Sequence, residues 1–523
     1  MLNIRAIALW IGAVAAVAAI VPLASFDRSQ AATAITSGKE NTSILVQNVG
    51  TAPAEFVAEY YNPDGSLIAA ATDPESGVAP GSTRNFAQAE NANLPVGYRG
   101  LAIINSDQPI NTLLVRDILD VLSKHSYSIA GAYGSGGHKL AIPLAFNELL
   151  SGGSWNSRIS VVNTGTTVAC LRMTYLVVAT GDGSATTNQT FTDNGTGGTG
   201  CATGYRLPAG GQLTFGRTGT GVIQFPVSTQ NNQMAVLIEV LTPGDNAITA
   251  NVDVYQSEGN RLFGSYNAFI INDAAATTDD VGSDVIVPLG IKDASGFYSV
   301  IAMQILDGVT TNVTINYVGV DIDNGNAPVN VSTTLNSVKD VAARSIYEET
   351  AVPQGFVGYA RVTASGGAKL AVVLIRGKQS FYFSGVTEAT YTAVNGVPAD
   401  RATTVWNLPL VFRRFSDALY NSWIQVQVAN GGTAQVTLTF TGDPAQGCPV
   451  GPYTSTHTVT GSKVFYMNAN DASEHGFGNL PPGCFFGGAK VSANVAIVVI
   501  SNVTTDFYPN SDNDGIYNAF PDE

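Results

Sequence analysis

Apolar and polar positions alternate along most of this chain in short runs. Ser157-Arg158-Ile159-Ser160-Val161-Val162-Asn163 and Ser422-Trp423-Ile424-Gln425-Val426-Gln427-Val428 are two clear cases. A period of two sends alternate side chains to opposite faces, so each run predicts a strand with one buried face. Between the runs stand Gly, Pro, Asn and Asp, the residues that turn a chain. Denser apolar runs at residues 371–375 and 495–500 are strand-sized and too short to cross a membrane. Beyond the N-terminal segment, helical period is confined to a short turn over 116–123. The pattern predicts an all-β protein.

The runs recur in a fixed order. Ile142-Pro143-Leu144, Val287-Pro288-Leu289 and Leu408-Pro409-Leu410 each precede a loop and a strand that begins near a Ser (Ser157, Ser299, Ser422). An Asn/Asp-Gly type turn then leads to a return strand ending in Tyr175, Tyr317 or Phe440, which is a β-hairpin. The first copy of that hairpin runs from Ser43 to Tyr60. A tight turn follows at Leu94-Pro95-Val96-Gly97-Tyr98-Arg99-Gly100, Val352-Pro353-Gln354-Gly355-Phe356-Val357-Gly358 and Leu480-Pro481-Pro482-Gly483-Cys484-Phe485-Phe486-Gly487. Each unit closes on Tyr266-Asn267-Ala268-Phe269, Tyr391-Thr392-Ala393-Val394 or Tyr517-Asn518-Ala519-Phe520, with Tyr133 as the first copy. Four units of roughly 100–135 residues, each with about seven strands, fit immunoglobulin-like sandwiches and are too long for propeller blades.

The N-terminus reads differently. Residues 6–23 are almost wholly apolar behind Arg5, and Ser29-Gln30-Ala31 supplies small residues for cleavage before Ala32, the pattern of a secretory signal. Retained, the same stretch is long enough for a membrane anchor. The organisation is then a signal peptide at 1–31 and repeats at 32–135, 136–272, 273–397 and 398–523, arranged as a rod or a bent string. The first repeat has no x-Pro-Leu strand after residue 31, because Val21-Pro22-Leu23 falls inside the leader. Either residues 32–37 substitute for it, or the repeat has an open edge able to accept a strand from another molecule.

The repeats resemble the tandem Ig-like repeats of uncharacterised exported bacterial surface proteins. The resemblance rests on the hairpin from Thr42 to Gly50 with Tyr60, Asp64 and Gly65, and on the three Leu/Val-Pro-x-Gly turns. It spans residues 40–520; the second repeat departs from it, having only Phe225-Pro226-Val227 where the turn belongs. It implies a surface location and structural or adhesive work, and it brings no catalytic residues.

Charge narrows the partners. Across 523 residues the formal net charge is −15, and only 12% of positions are charged. No cluster of Lys and Arg exists to track phosphates, which argues against nucleic acid. Export permits disulfides, and the four cysteines fall as two local pairs, Cys170 with Cys201 and Cys448 with Cys484. No close Cys-Cys or Cys-His spacing suggests a metal site.

Candidate chemistry is sparse. His125, His138, His457 and His475 lie in Ser/Gly/Thr-rich surroundings and read as loop residues, in no zinc-type spacing. No Ser sits in a nucleophile elbow. The Gly-rich run from Gly195 to Gly200 precedes Cys201, with no strand–helix context to hold a dinucleotide. Asp321 and Asp323, and Asp512 and Asp514, resemble the start of a calcium loop but lack the glutamate at its twelfth position. They read first as hairpin turns and second as weak metal ligands, so calcium is the one cofactor the sequence suggests. Asp279, Asp280 and Asp284 stand at a repeat junction. Trp155, Trp406 and Trp423, with Phe381-Tyr382-Phe383, are the aromatics that exposure would make into a sugar platform, Trp155 and Trp423 above all; core packing is the competing reading. The chain therefore reads as a non-enzymatic, secreted or cell-surface structural protein that self-associates through sheet edges or ends into a surface layer or filament. The alternative is an adhesin or glycan-binding module. Membrane contact is expected only if the leader is retained.

Overall fold

The computed structural model describes residues 39–119, 125–132, 134–149, 155–177, 189–217, 219, 221–230, 232–242, 247–256, 262–271, 280–306, 308–378, 390–416, 419–467, 483–505, 512 and 514–522. The leader, Tyr133, Asp279, Phe381 to Phe383, His475 and Leu480 to Pro482 lie outside the described residues.

The strands fall into four consecutive sets. Set 1 holds β1 (Lys39–Asn48), β2 (Ala54–Tyr61), β3 (Asp73–Val78), β4 (Thr83–Ala87), β5 (Leu101–Ser106), β6 (Ile110–Leu119) and β7 (His125–Gly131). Set 2 holds β8 (Lys139–Asn147), β9 (Trp155–Asn163), β10 (Ala169–Val177), β11 (Gln189–Asp193), β12 (Tyr205–Leu207), β13 (Gln212–Gly216), β14 (Val222–Gln224), β15 (Asn232–Val240), β16 (Ile248–Gln256), β17 (Phe263–Asn267) and β18 (Phe269–Ile270). Set 3 holds β19 (Asp284–Ala294), β20 (Phe297–Ile305), β21 (Thr310–Asp321), β22 (Ala327–Lys339), β23 (Val341–Ser345), β24 (Phe356–Ala364), β25 (Leu370–Lys378), β26 (Tyr391–Asn395) and β27 (Val397–Pro398). Set 4 holds β28 (Thr403–Arg413), β29 (Asn421–Val428), β30 (Thr433–Gly442), β31 (Tyr453–Thr460), β32 (Ser462–Tyr466), β33 (Phe485–Thr504), β34 (Asp514–Asn518) and β35 (Phe520–Pro521). Helix is limited to single 3-10 turns among the described residues, as the period-two pattern requires.

Each set is a pair of layers, antiparallel except for the parallel pairing of β13 with the short β14. In set 2 one layer runs β11-β10-β15-β8-β18 and the other β14-β13-β9-β16-β17. Set 3 repeats this with β22-β21-β24-β19 and β20-β25-β26, which join only where β19 turns into β20. In set 4 the long β33 serves both layers: its first half pairs β28 and β30, and its second half pairs β29 and β34. The alternating strands bury one face, as in β10 and β21. The x-Pro-Leu strands β8, β19 and β28 are instead buried along nearly their whole length. Their proline lacks an N–H and sits where the register slips, opposite the steps Met234/Val236, Ala360/Gly358 and Ala489/Gly487. A bulge is the one place an interior strand tolerates proline.

Equivalent registers recur from set to set. Gly100, Gly358 and Gly487 hold the same place, and a Cβ on any of them would stand 2.0, 2.2 and 2.2 Å from the carbonyls of Tyr61, Val318 and Thr441. Both cysteine pairs form, Cys170–Cys201 and Cys448–Cys484, closing separations of 31 and 36 residues. Loops of that size contribute about 3–4 kcal/mol each in a chain-entropy account.

The sets do not form the expected rod. The closing strands β7, β17, β26 and β34 pack each against the next and the last against the first. A ladder of side-chain amides links them: Asn518 Nδ2 donates to the Asn395 carbonyl at 2.8 Å, Asn395 Nδ2 to Asn267 at 2.8 Å, and Asn267 Nδ2 to Gly131 at 3.0 Å. The ladder also corrects the closing motif. Asn395, not Thr392, matches Asn267 and Asn518, so Val394 takes the place of Tyr266 and Tyr517, and Tyr391 stands three residues before it. At the other end of the ring Asp512 ties all four sets together. Its carboxylate accepts from Phe263 N at 3.0 Å and Tyr391 N at 3.1 Å, and its carbonyl from Tyr127 N at 3.1 Å.

Burial pushes the Asp512 carboxyl well above its usual value of 3.8, against the pull of the two amide bonds. A raised folded pKa means that the stability from the protonated group is fully present below 3.8 and is lost as pH rises through the raised value. Thermal melts of the wild type are therefore expected to decline on this account as pH rises above 3.8. Asp512→Asn should cost about 1–3 kcal/mol by turning an NH2 toward a backbone donor, yet flatten that decline. A slope unchanged in the variant would place the titrating group elsewhere.

Candidate functional site

Among the described residues set 1 has one strand fewer beside its inner return strand than the other sets. In sets 2, 3 and 4 the inner return strand (β15, β24, the first half of β33) is flanked on its outer side by the x-Pro-Leu strand. Its counterpart β5 pairs β2 alone, in a sheet of order β3-β2-β5. The difference shows in burial. Ala360, Val362, Ala489 and Val491 are at most 1% exposed, whereas Ala102 and Ile104 at the same register are only half-buried. The result is a cleft of about 1440 Å³ between β5 of set 1 and the β9–β16–β13 face of set 2.

The cleft wall carries a buried charge network between the two sets. Arg116 ion-pairs with Glu40 and with Asp253, its Nη1 standing 2.5 Å from Asp253 Oδ1, and Arg158 reaches Asp253 at 3.0 Å. The Arg116 guanidinium also lies 4.9 Å over the Phe263 ring. Burial alone would raise the Glu40 and Asp253 carboxyls, but Arg116 and Arg158 beside them hold both below the usual range. Arg116 has a positional partner in Arg376, which pairs with Asp514 between sets 3 and 4. Arg158 lies in the alternating run from Ser157 and Asp514 in the calcium-like loop, but neither motif marks a charge pair; the sign in the sequence is Arg116-Asp117 inside the apolar run at 113–118.

The other predicted site residues are placed apart. Asp321 and Asp323 cap the β21–β22 hairpin, with Asp323 N donating to Asp321 Oδ1 at 3.1 Å. Asp512 and Asp514 are buried at the hub, the first on backbone N–H groups and the second on Arg376 and Asn502. Asp280 accepts from Ile270 N at 3.0 Å and Asp284 pairs with Arg361, so the junction aspartates are spent separately. Among the described residues no group of three or more His, Cys, Asp or Glu is brought together. Trp155 is 3% exposed, packed against Tyr391 and Phe146, which removes it as a sugar platform. Trp406 is also buried, donating from Nε1 to the Ile497 carbonyl at 2.7 Å. Trp423 is half-buried under the Arg376 guanidinium, 5.3 Å from its ring centre. His125 and His457 lie on strands β7 and β31 rather than in loops, the latter against Phe465 at 5.1 Å. The run from Gly195 to Gly200 is a loop leading to the Cys170–Cys201 bridge, as its composition predicted.

A scan against protein families finds no match to this chain, and a search of curated proteins finds no relative. The reading therefore rests on geometry.

Arg116→Met would leave two buried carboxylates with Arg158 alone. The expected cost is about 3–5 kcal/mol in urea unfolding at neutral pH. Because Glu40 and Asp253 have depressed folded pKa values, wild-type stability from the network is present above the ordinary carboxylate range and lost as pH falls through them. The gap between variant and wild type should therefore shrink in acid. A gap independent of pH would mean that packing, not charge, carries the effect.

Proposed function

We propose that this chain is a non-catalytic structural subunit of an extracellular or cell-surface assembly, built of four immunoglobulin-like sandwiches and joined to its copies through sheet edges. The observation that carries the reading is the state of the outermost strands. The edge strand β3 of set 1 is short and carries Asp73, Pro74 and Glu75, the devices that keep sheet edges from pairing with other chains. β31 lacks them, and β22 carries them only at its two ends, Pro328 and Lys339. β22 is 13 residues long, with Lys339 at its end as its one charge, and β31 has no Lys, Arg, Asp or Glu in its 8 residues. Their partners are held by exposed hydroxyl pairs, Thr314–Thr334, Thr437–Thr456 and Thr439–Thr454. A long, flat, uncharged edge is a template for another strand. Two disulfides suit the oxidising compartment in which such an assembly stands.

Electron microscopy and sedimentation of the full chain across a concentration series, with calcium and with chelator, test the reading. Wild type is expected to form ordered sheets or filaments. Thr334→Lys/Thr456→Lys, both at exposed edge positions, should raise the concentration needed about tenfold or more, the effect of roughly 1.4 kcal/mol per contact. Dispersed single particles of wild type under every condition would overturn edge-mediated assembly.

A further inference from the structure

We propose that the cleft in set 1 is a strand-binding slot and that its occupant is residues 19–26 of the same chain, added antiparallel to the open edge of β5. Four observations meet here.

The sets follow one another cyclically. The x-Pro-Leu strand of set 2 (β8) packs on β20 and β25 of set 3, that of set 3 (β19) on β29 and β33 of set 4, and that of set 4 (β28) on β1 and β6 of set 1. The position left over is between β5 of set 1 and β9 and β16 of set 2, which is where the cleft lies.

The segment carries the motif. Residues 19–26 read Ala-Ile-Val-Pro-Leu-Ala-Ser-Phe, against Leu-Ala-Ile-Pro-Leu-Ala-Phe-Asn at 140–147. They are apolar on both faces, as a strand buried on both sides must be. The register of the other sets assigns Val21 opposite Ala102 and Ala24 opposite Gly100, with the Pro22-Leu23 bulge between them. Residues 31–37, the other stretch at hand, have neither the Pro-Leu pair nor the length of apolar sequence.

The receiving groups are in place. Ser157, Ser299 and Ser422 accept from the backbone N–H three residues after the motif proline, at 2.9, 3.2 and 3.0 Å. The same position in set 1 is Thr42, which lines the cleft. The motif proline's carbonyl accepts from the next set, Pro288 from Gln425 and Pro409 from Thr83, the latter at 2.8 Å. The corresponding residues of set 2 are Ser160 and Gln212, and both line the cleft.

The reach is adequate. Residues 27–38 join the segment to β1, whereas seven residues (148–154) make the same link in set 2. The strand is supplied in cis, so removal of the leader after Ala31 would strip the slot, and any processing falls before Ala19. Set 1 then takes no part in the edge contacts through β5.

Two measurements on the full exported chain test this. In the Val21→Cys/Ala102→Cys variant a disulfide within one chain should form, seen by peptide mapping without reduction. Ile20→Cys/Ala102→Cys, whose side chains point to opposite faces, should give little. In the unmodified chain, amide exchange of β5 should match that of β24, slowed at least about a hundredfold over an open edge, and should not change on dilution. A crosslink between two chains, or protection lost on dilution, would assign the strand to a second copy and overturn the proposal. So would a mature chain starting at Ala32 by intact mass, protected β5 amides without the Val21–Ala102 crosslink, or fast exchange throughout β5.

Discussion

A short strand that is buried on both faces cannot end a sandwich at a water interface; it has to be covered on its outer side as well as its inner one. β17, β26 and β34 are each buried over their first four residues, and β7 over 126–130. They cover one another. Each set supplies one such strand, and four together close a ring in which no outer face remains. The rest of the arrangement is placed by that contact. It brings Arg116 of set 1 onto Asp253 of set 2, Arg376 of set 3 onto Asp514 of set 4, and Arg84 of set 1 onto Asp443 of set 4. Charged groups this deeply buried are tolerable only in pairs, so they specify the mutual orientation of the sets more than they add stability.

The ring is close to a four-fold repetition with deliberate-looking departures. The amide ladder has asparagine at three positions and Gly131 at the fourth, where a Cβ would stand 3.1 Å from Asn267 Nδ2 and 3.2 Å from the Phe520 ring. Tyr266 and Tyr517 each donate to the leucine carbonyl of their own x-Pro-Leu bulge, while Ala130 and Val394 hold that place in sets 1 and 3. Asp512 belongs to set 4 alone, yet its single carboxylate serves the backbone of sets 2 and 3. One asymmetric residue thereby replaces what four-fold symmetry would need four times over.

Set 1 divides its core differently from the other sets among the described residues. Its own cluster gathers nine buried residues around Phe56 and Tyr60, while its Leu45, Leu113, Val115, Tyr127 and Ile129 join the core of set 4. The outer edges of sets 3 and 4 pose a different problem, since they face outward and are unguarded by charge. The two kinds of edge differ in what they invite: a recessed apolar cleft with a fixed register selects one segment, whereas a flat hydroxyl-lined edge accepts any strand of similar make.

The strands, their hairpins, the cysteine pairs and the four-part repetition were legible in the sequence, because each depends on neighbours in the chain: alternation, turn chemistry and short closures. The x-Pro-Leu motif was legible as a repeat, although its cause, a bulge in a doubly buried strand, needed the sheet. The ring was not legible, because a closing strand buried by its own set and one buried by three others have the same composition. For the same reason Asp512 and Asp514 read as a turn or a calcium loop, and Trp155 was left between core and platform, when all three are interior. Burial of a polar or aromatic side chain is decided by what arrives from a hundred or more residues away, and only the tertiary structure supplies that.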